Sequence, residues 1–334
     1  MLSVEHVTKR FGAFTALEDV SLSFSPGVYG LLAPNGAGKT TLIKMLATLL
    51  FPTSGQILWN GEDIASLGEA YRARLGYLPQ EFGYYPGYTP RKFLRYVAAL
   101  QCVPRREADA RIDGLLATVG IADVADKKMR QFSGGMLQRV GIAQAMVNDP
   151  EILILDEPTA GLDPRERVRF RNLVHSLADA RIVILSTHIV SDIETIAGRI
   201  VMLRDRRLLC CDTAAGICAQ LEGKVFEVPA GAPLAPGQFL LSEREGAAGP
   251  VLRVACDEPP ADGVPVPAGL EDAFLYVYRD AEEGSRGISA RPAAGKGRRK
   301  GGRGHVDGGG ARAGAAGGGM GARADAGGAE GGRP

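Results

Sequence analysis

The side chains best suited to chemistry are Lys39, Thr40, Asp156, Glu157 and His188, with Gln80 as a further polar candidate. Lys39 and Thr40 close the stretch Leu31-Leu32-Ala33-Pro34-Asn35-Gly36-Ala37-Gly38-Lys39-Thr40-Thr41. It fits the phosphate-binding pattern G-x-x-x-x-G-K-[ST] everywhere except the first position, where Ala33 stands. In such a loop the backbone N–H groups and the helix N-terminus face an anion together. Lys39 adds a mobile positive charge for the β- and γ-phosphates, and Thr40 a hydroxyl for Mg²⁺. The Ala33 methyl narrows the backbone angles open to that position. A modest effect is expected, because Gly36 and Gly38 keep the close approach to phosphate. The bland alternative is a glycine-rich turn without a ligand, and Gly-Lys-Thr argues against it.

Two carboxylates, Asp156 and Glu157, follow the apolar run Ile152-Leu153-Ile154-Leu155. Polar groups at the C-terminal edge of a buried strand lie where open α/β sheets bind ligands. Asp156 is a candidate for Mg²⁺, directly or through water, and Glu157 for orienting or deprotonating an attacking water. His188 ends a similar run, Ile182 to Leu185 followed by Ser186-Thr187, as a donor for a γ-phosphate. Gln80, after Tyr77-Leu78-Pro79, could reach Mg²⁺ and water; alone it reads as an ordinary loop residue. Ser133 is a natural N-cap, and with Gly134 and Gly135 it opens a second helix N-terminus suited to an anion. Phe11 is an aromatic that could stack on a flat base; spacing alone favours a core role for it.

These groups need particular elements behind them. Val28 to Leu32 reads as a buried strand, and Leu42, Ile43, Leu46, Leu49 and Leu50 recur at helical spacing after the loop. Residues 1–25 alternate as paired antiparallel strands. Residues 83–130 change character: the aromatic turn Gly83-Tyr84-Tyr85-Pro86-Gly87-Tyr88 precedes helices marked by Phe93, Val97 and Leu100, then Ile112, Leu115, Leu116 and Val119. They read as a helical insertion in an α/β core, with aromatics for its own packing or for docking to another protein. Gly161-Leu162-Asp163-Pro164 turns the chain into a charged helix, and Ile200–Leu203 with Arg207–Leu209 forms a hairpin. Residues 221–280 read as a small α+β appendage with a terminal helix from Leu270, and the Gly/Ala/Arg-rich residues 281–334 as disordered.

The 334 residues allow two or three domains, and the net charge of +1 gives no global argument for nucleic acid. Residues 281–334 carry ten Lys and Arg against five Asp and Glu. Within them Arg298-Arg299-Lys300 could touch anionic lipid or nucleic acid, though a solubilising tail is the simpler reading. Five cysteines without a framework spacing fit a reducing compartment. No apolar run has the length of a membrane span and no signal peptide is evident, so a membrane role requires a separate partner.

Taken in order, the motifs closely resemble the ATP-binding subunit of ABC transporters. They are Ala33–Thr40, Gln80, Phe132-Ser133-Gly134-Gly135-Met136-Leu137-Gln138, Asp156-Glu157, Gly161-Leu162-Asp163 and His188. The resemblance covers residues 1–220 and implies a P-loop NTPase (RecA-like) core with an antiparallel β subdomain and a helical subdomain at about 83–150. Phe132 and Met136 depart from the commoner Leu and Gln. Met136 and Leu270-Glu271-Asp272-Ala273-Phe274-Leu275 resemble two-gene exporters of the ABC-2 type. The family's pattern implies ATP and Mg²⁺ as cofactors, with Phe11 on the adenine. Nucleotide contacts are implied at Asn35, Gly36, Ala37, Gly38, Lys39, Thr40, Thr41, Ser133, Gly134, Gly135 and Asp163. Thr40, Gln80 and Asp156 would serve the metal, and Glu157, His188 and Gln80 the hydrolysis. Partners would be a second nucleotide-binding domain, head to tail, and separate membrane permeases at the cytoplasmic face; no nucleic acid is expected. The competing readings are a soluble ABC-family ATPase acting on nucleic acid or ribosomes, and a module that binds ATP without hydrolysis. One motif set and the short Gln80–Ser133 span argue against the first; Glu157 and His188 argue against the second.

Overall fold

Alternation and apolar runs in the sequence sort the strands into three sheets in a computed structural model, which describes residues 1–279 apart from 179, 232, 247 and 248. The predicted disordered tail and its Arg298-Arg299-Lys300 lie outside the described residues. In chain order the first elements are β1 (Leu2–Phe11), β2 (Phe14–Phe24), β3 (Gly27–Leu32), α1 (Lys39–Leu46), β4 (Ser54–Trp59) and β5 (Glu62–Asp63). Two single turns follow, α2 (Ile64–Leu67) and α3 (Glu69–Arg72), then β6 (Leu75–Leu78). The inserted helices are α4 (Pro90–Leu100), α5 (Arg105–Thr118) and α6 (Gly134–Ala145). The core resumes with β7 (Ile152–Asp156), α7 (Pro164–Leu177), β8 (Ile182–Ser186), α8 (Val190–Ile196), β9 (Arg199–Arg204) and β10 (Arg207–Asp212). The chain then runs through α9 (Ala214–Ala219), β11 (Val225–Pro229), β12 (Phe239–Gly246), β13 (Gly249–Ala255), β14 (Val264–Pro265) and α10 (Leu270–Val277).

The central sheet has the order β10-β9-β3-β8-β7-β6. Its strands β3, β6, β7, β8 and β9 pair in parallel, and β10 returns antiparallel. It is apolar on both faces, as a covered parallel sheet must be. Leu153, Leu155, Val183 and Leu185 pack toward the inserted helices and α7. Ile152, Ile154, Ile182 and Ile184 pack on the opposite face, with α1 and the antiparallel sheet β2-β1-β4-β5. Period-two side chains thus divide each strand between two cores.

α1 ends at Leu46, a turn before the apolar spacing predicts. Thr48 has φ +56°, which breaks the helix, and Leu49 is 61% exposed rather than on a buried face. The third sheet, β12-β13-β11-β14, belongs to the C-terminal segment, where β12 is a strand the composition did not reveal. The helix at its end does not stay with that sheet. Leu270, Ala273 and Tyr278 join the core beneath the central sheet, and the Tyr278 hydroxyl donates to the Leu203 carbonyl at 2.7 Å.

Candidate functional site

Three parallel strands end side by side and deliver the polar groups. β3 runs into the phosphate loop, β7 ends at Asp156, and β8 ends at Ser186 just before Thr187 and His188. Their registers are in step, with Asp156 opposite Ser186 and Leu31 opposite Ser186 on the other side. The cluster therefore follows from strand register rather than from loop flexibility.

The loop's shape depends on two glycines. Gly36 has φ +82° and Gly38 φ +104°, angles that side chains with a Cβ rarely take. Gly38 is also crowded: a Cβ there would lie 2.4 Å from Leu17 Cδ2 and 2.7 Å from the Ala16 carbonyl oxygen. Ala33 is buried in the adjoining core and has no positive φ, so the position does not need glycine's freedom. No side chain caps the N-terminus of α1, whereas Thr89, Ser133 and Asp163 cap α4, α6 and α7. Pro34, Asn35, Gly36, Gly38, Lys39, Thr40 and Thr41 line a cleft of about 180 Å³ with Phe14 and Ala16 from β2. Ala37 is buried beneath this loop.

Lys39 reaches from the loop to the strand ends. Its Nζ donates to Glu157 Oε1 at 3.1 Å, and both side chains are only 9% exposed. The other Glu157 oxygen, Oε2, is 2.8 Å from His188 Nδ1. Two buried opposite charges in contact each relieve the other's desolvation cost. Ser186 is a member of the cluster that the sequence reading missed. Its Oγ donates to Asp156 Oδ1 at 2.5 Å and accepts from the Glu157 N–H at 3.1 Å. A serine at a strand end carries no spacing signal; only the β7–β8 register brings it there. Tyr77, on β6, also escaped notice. Burial and the Asp156 carboxylate push its hydroxyl up to about 12.

The remaining candidates are dispersed. Gln80 is exposed beyond β6. Ser133 Oγ accepts from the Met136 N–H at 3.3 Å, so it caps α6, and Asp163 Oδ1 accepts from the Glu166 N–H at 2.9 Å to cap α7. Neither the Ser133–Gly135 stretch nor Asp163 lines the phosphate-loop cleft. Gly135 lines a separate cavity beside the Arg139–Glu166 ion pair. Phe11 does not line the cleft either.

The residues present suit a polyphosphate with Mg²⁺. The loop offers an uncapped helix terminus and a buried ammonium to the anion. The Thr40 hydroxyl and Asp156 carboxylate are hard oxygen donors of the kind Mg²⁺ takes.

The ABC transporter family pattern matches residues 17–160. The Nod factor export ATP-binding protein I of Burkholderia thailandensis is 31% identical over 292 residues, which span 83% of this chain and 96% of that protein. The chain belongs to the ABC transporter family. An ABC transporter ATP-binding protein of Synechocystis sp. is 38% identical over 229 residues, which span 67% of this chain and 64% of that relative's length. A bacterial ABC transporter cassette solved as a dimer superposes with a TM-score of 0.58 at 25% identity, covering 64% of this chain and 98% of the cassette. The α/β core with inserted helices is therefore an ABC cassette fold. Among the described residues of this ABC protein, no helix is long and apolar enough to cross a membrane.

Proposed function

We propose that this chain is the ATP-hydrolysing subunit of an ABC exporter, acting as a pair of copies under separate permeases at the cytoplasmic face of the membrane. The observation that carries the reading is the convergence of Lys39, Glu157 and His188 beside the phosphate loop. Loop N–H groups from Asn35 to Thr41 would hold the phosphates. Polyphosphate competes with Glu157 for the Lys39 ammonium, since it carries more charge. Glu157 freed from Lys39 is then able to orient and deprotonate water. His188, at the solvent edge, steadies the Glu157 carboxylate through Nδ1 and can donate to the γ-phosphate from its other nitrogen. Thr40, Asp156 and Gln80 would hold Mg²⁺, which when bound neutralises charge on the β- and γ-phosphate oxygens.

The α6 terminus at Ser133, Gly134 and Gly135, together with Asp163, would complete the site of the second copy. A bacterial ABC transporter cassette solved as a dimer supports the pairing of two copies. A pair that closes on ATP and opens on ADP moves by its differential affinity for the two. The inserted helices, with exposed Tyr85 and Tyr96, would pass the motion to the permeases. Export rather than import is supported by the relative named for Nod factor export.

Phosphate release from Mg-ATP tests this. Chelating Mg²⁺ should abolish it. Glu157→Gln should lower kcat by about 100-fold or more while ATP still binds, the loss expected of a missing general base. Unchanged turnover in that variant contradicts the role given to Glu157.

A further inference from the structure

The C-terminal end of α10 meets the root of the phosphate loop. Leu32 closes β3 and is followed at once by Ala33, the first residue of the loop. β9 lies beside β3, and their final paired residues are Leu32 and Met202. Where that ladder stops, the Tyr278 hydroxyl is 2.7 Å from the Leu203 carbonyl oxygen and 3.5 Å from the Leu32 carbonyl oxygen. A phenol has one proton to give. It goes to Leu203, and the Leu32 oxygen stands at the outer limit of a hydrogen bond. A small shift of the loop root therefore makes or breaks this second contact.

Tyr278 is firmly placed. It is buried, and its ring centroid lies 4.7 Å from that of Phe274, one turn earlier. Burial also raises the pKa of its hydroxyl, which keeps its proton at neutral pH. α10 packs against α8 as well, and α8 packs against β3. That second approach is close: a Cβ on Gly30 would lie 2.6 Å from Ile193 Cγ2 and 3.1 Å from Ala197 Cβ. α8 starts at Val190, just past His188. One helix of the C-terminal segment thus sits behind both the phosphate loop and the helix that follows His188. Nearer its start, Asp272 pairs with Arg253 of β13, and both are buried. α10 is fixed at one end to its own sheet and at the other to the core, so a rigid element joins the two.

We infer that Tyr278 is a positioning residue for the phosphate loop, and that through it the C-terminal segment and the nucleotide site are coupled. This rests on the nucleotide-binding reading above and adds a regulatory contact to it. With the hydroxyl in place, the loop root is set before the phosphates arrive. Without it, binding has to fix the root and is weaker. Such coupling is reciprocal, so a bound nucleotide also steadies α10.

Isothermal titration of the full chain with Mg-ADP reads one direction. Tyr278→Phe keeps the ring and removes only the hydroxyl. It should raise the Kd for Mg-ADP about fivefold, the scale of one net hydrogen bond. Hydrogen exchange reads the other direction. Saturating Mg-ADP should slow amide exchange in α10 of the unmodified chain, and by a smaller factor in Tyr278→Phe. A Tyr278→Phe chain with a lowered urea midpoint and an unchanged Kd overturns the assignment, because the hydroxyl then serves stability alone. α10 exchange that does not respond to Mg-ADP in the unmodified chain also overturns it, whatever the variant does. Failure of the unmodified chain to bind Mg-ADP contradicts the nucleotide reading itself, a result distinct from both.

Discussion

Glu157 has φ +50°, a left-handed angle that costs a residue with a Cβ about 1 kcal/mol or more. The conformation is held by Ser186, whose carbonyl and hydroxyl oxygens each lie 3.1 Å from the Glu157 nitrogen. The turned backbone aims the carboxylate at Lys39 and His188 instead of along the strand. Ser186 therefore sets the direction of Glu157 while its hydroxyl proton goes to Asp156. Ser186→Ala takes the hydroxyl donor from buried Asp156 and leaves the Glu157 N–H with the Ser186 carbonyl alone. It should lower stability by about 1–3 kcal/mol in urea unfolding and reduce kcat more than it raises KM for ATP. A variant with native stability and native kcat would show that Ser186 orients nothing.

At the scale of the element, strand register makes the site and one helix fastens the C-terminal segment. Asp272 of α10 is buried, caps Gly269 N–H at 2.7 Å, and takes both Nε and Nη2 of Arg253 on β13 at 2.8 and 2.7 Å. Tyr278, just after α10, bonds to β9. Tyr278→Phe should cost about 1 kcal/mol, the net worth of one hydrogen bond, measured as a lower urea midpoint. Buried phenols also give the fold an alkaline limit. Burial raises Tyr71 and Tyr278, and Tyr77 goes from 10.0 to about 12. A raised phenol stabilises the folded chain fully below its unfolded value, and this is lost as pH rises through the folded one. Urea midpoints should fall between pH 10 and 12, and less steeply in Tyr77→Phe. Much of this scale was legible beforehand. The apolar runs at β3, β7 and β8 announced buried strands, and Ser133 announced a helix cap, because each signal is local. The end of α1, the strand β12, and the places of Ser186 and Tyr77 were not. α1 stops at the turned Thr48 backbone and β12 forms by pairing with β13, while Ser186 and Tyr77 meet Asp156 from far along the chain, which spacing does not encode.

For the whole molecule, the two glycine-rich helix ends, at α1 and at α6, have different surroundings. The α1 terminus lines the phosphate cleft, and the α6 terminus at Ser133 does not. A Cβ on Gly134 meets nothing within 4 Å, so that end of α6 is open for approach. In the symmetric pair proposed above, each copy would give its α6 end to the other's phosphate loop. Lys39→Ala damages one half of such a site and Gly134→Asp, which sets a negative charge against the phosphates, damages the other half. Mixing the two variants places both lesions in one site of each hybrid pair and leaves the second site whole. Neither variant alone should hydrolyse ATP, and an equal mixture should recover roughly a quarter of the unmodified turnover, as random pairing of two-fold partners gives. A mixture as inactive as its components, with hybrid pairs present, would contradict a site shared between two copies.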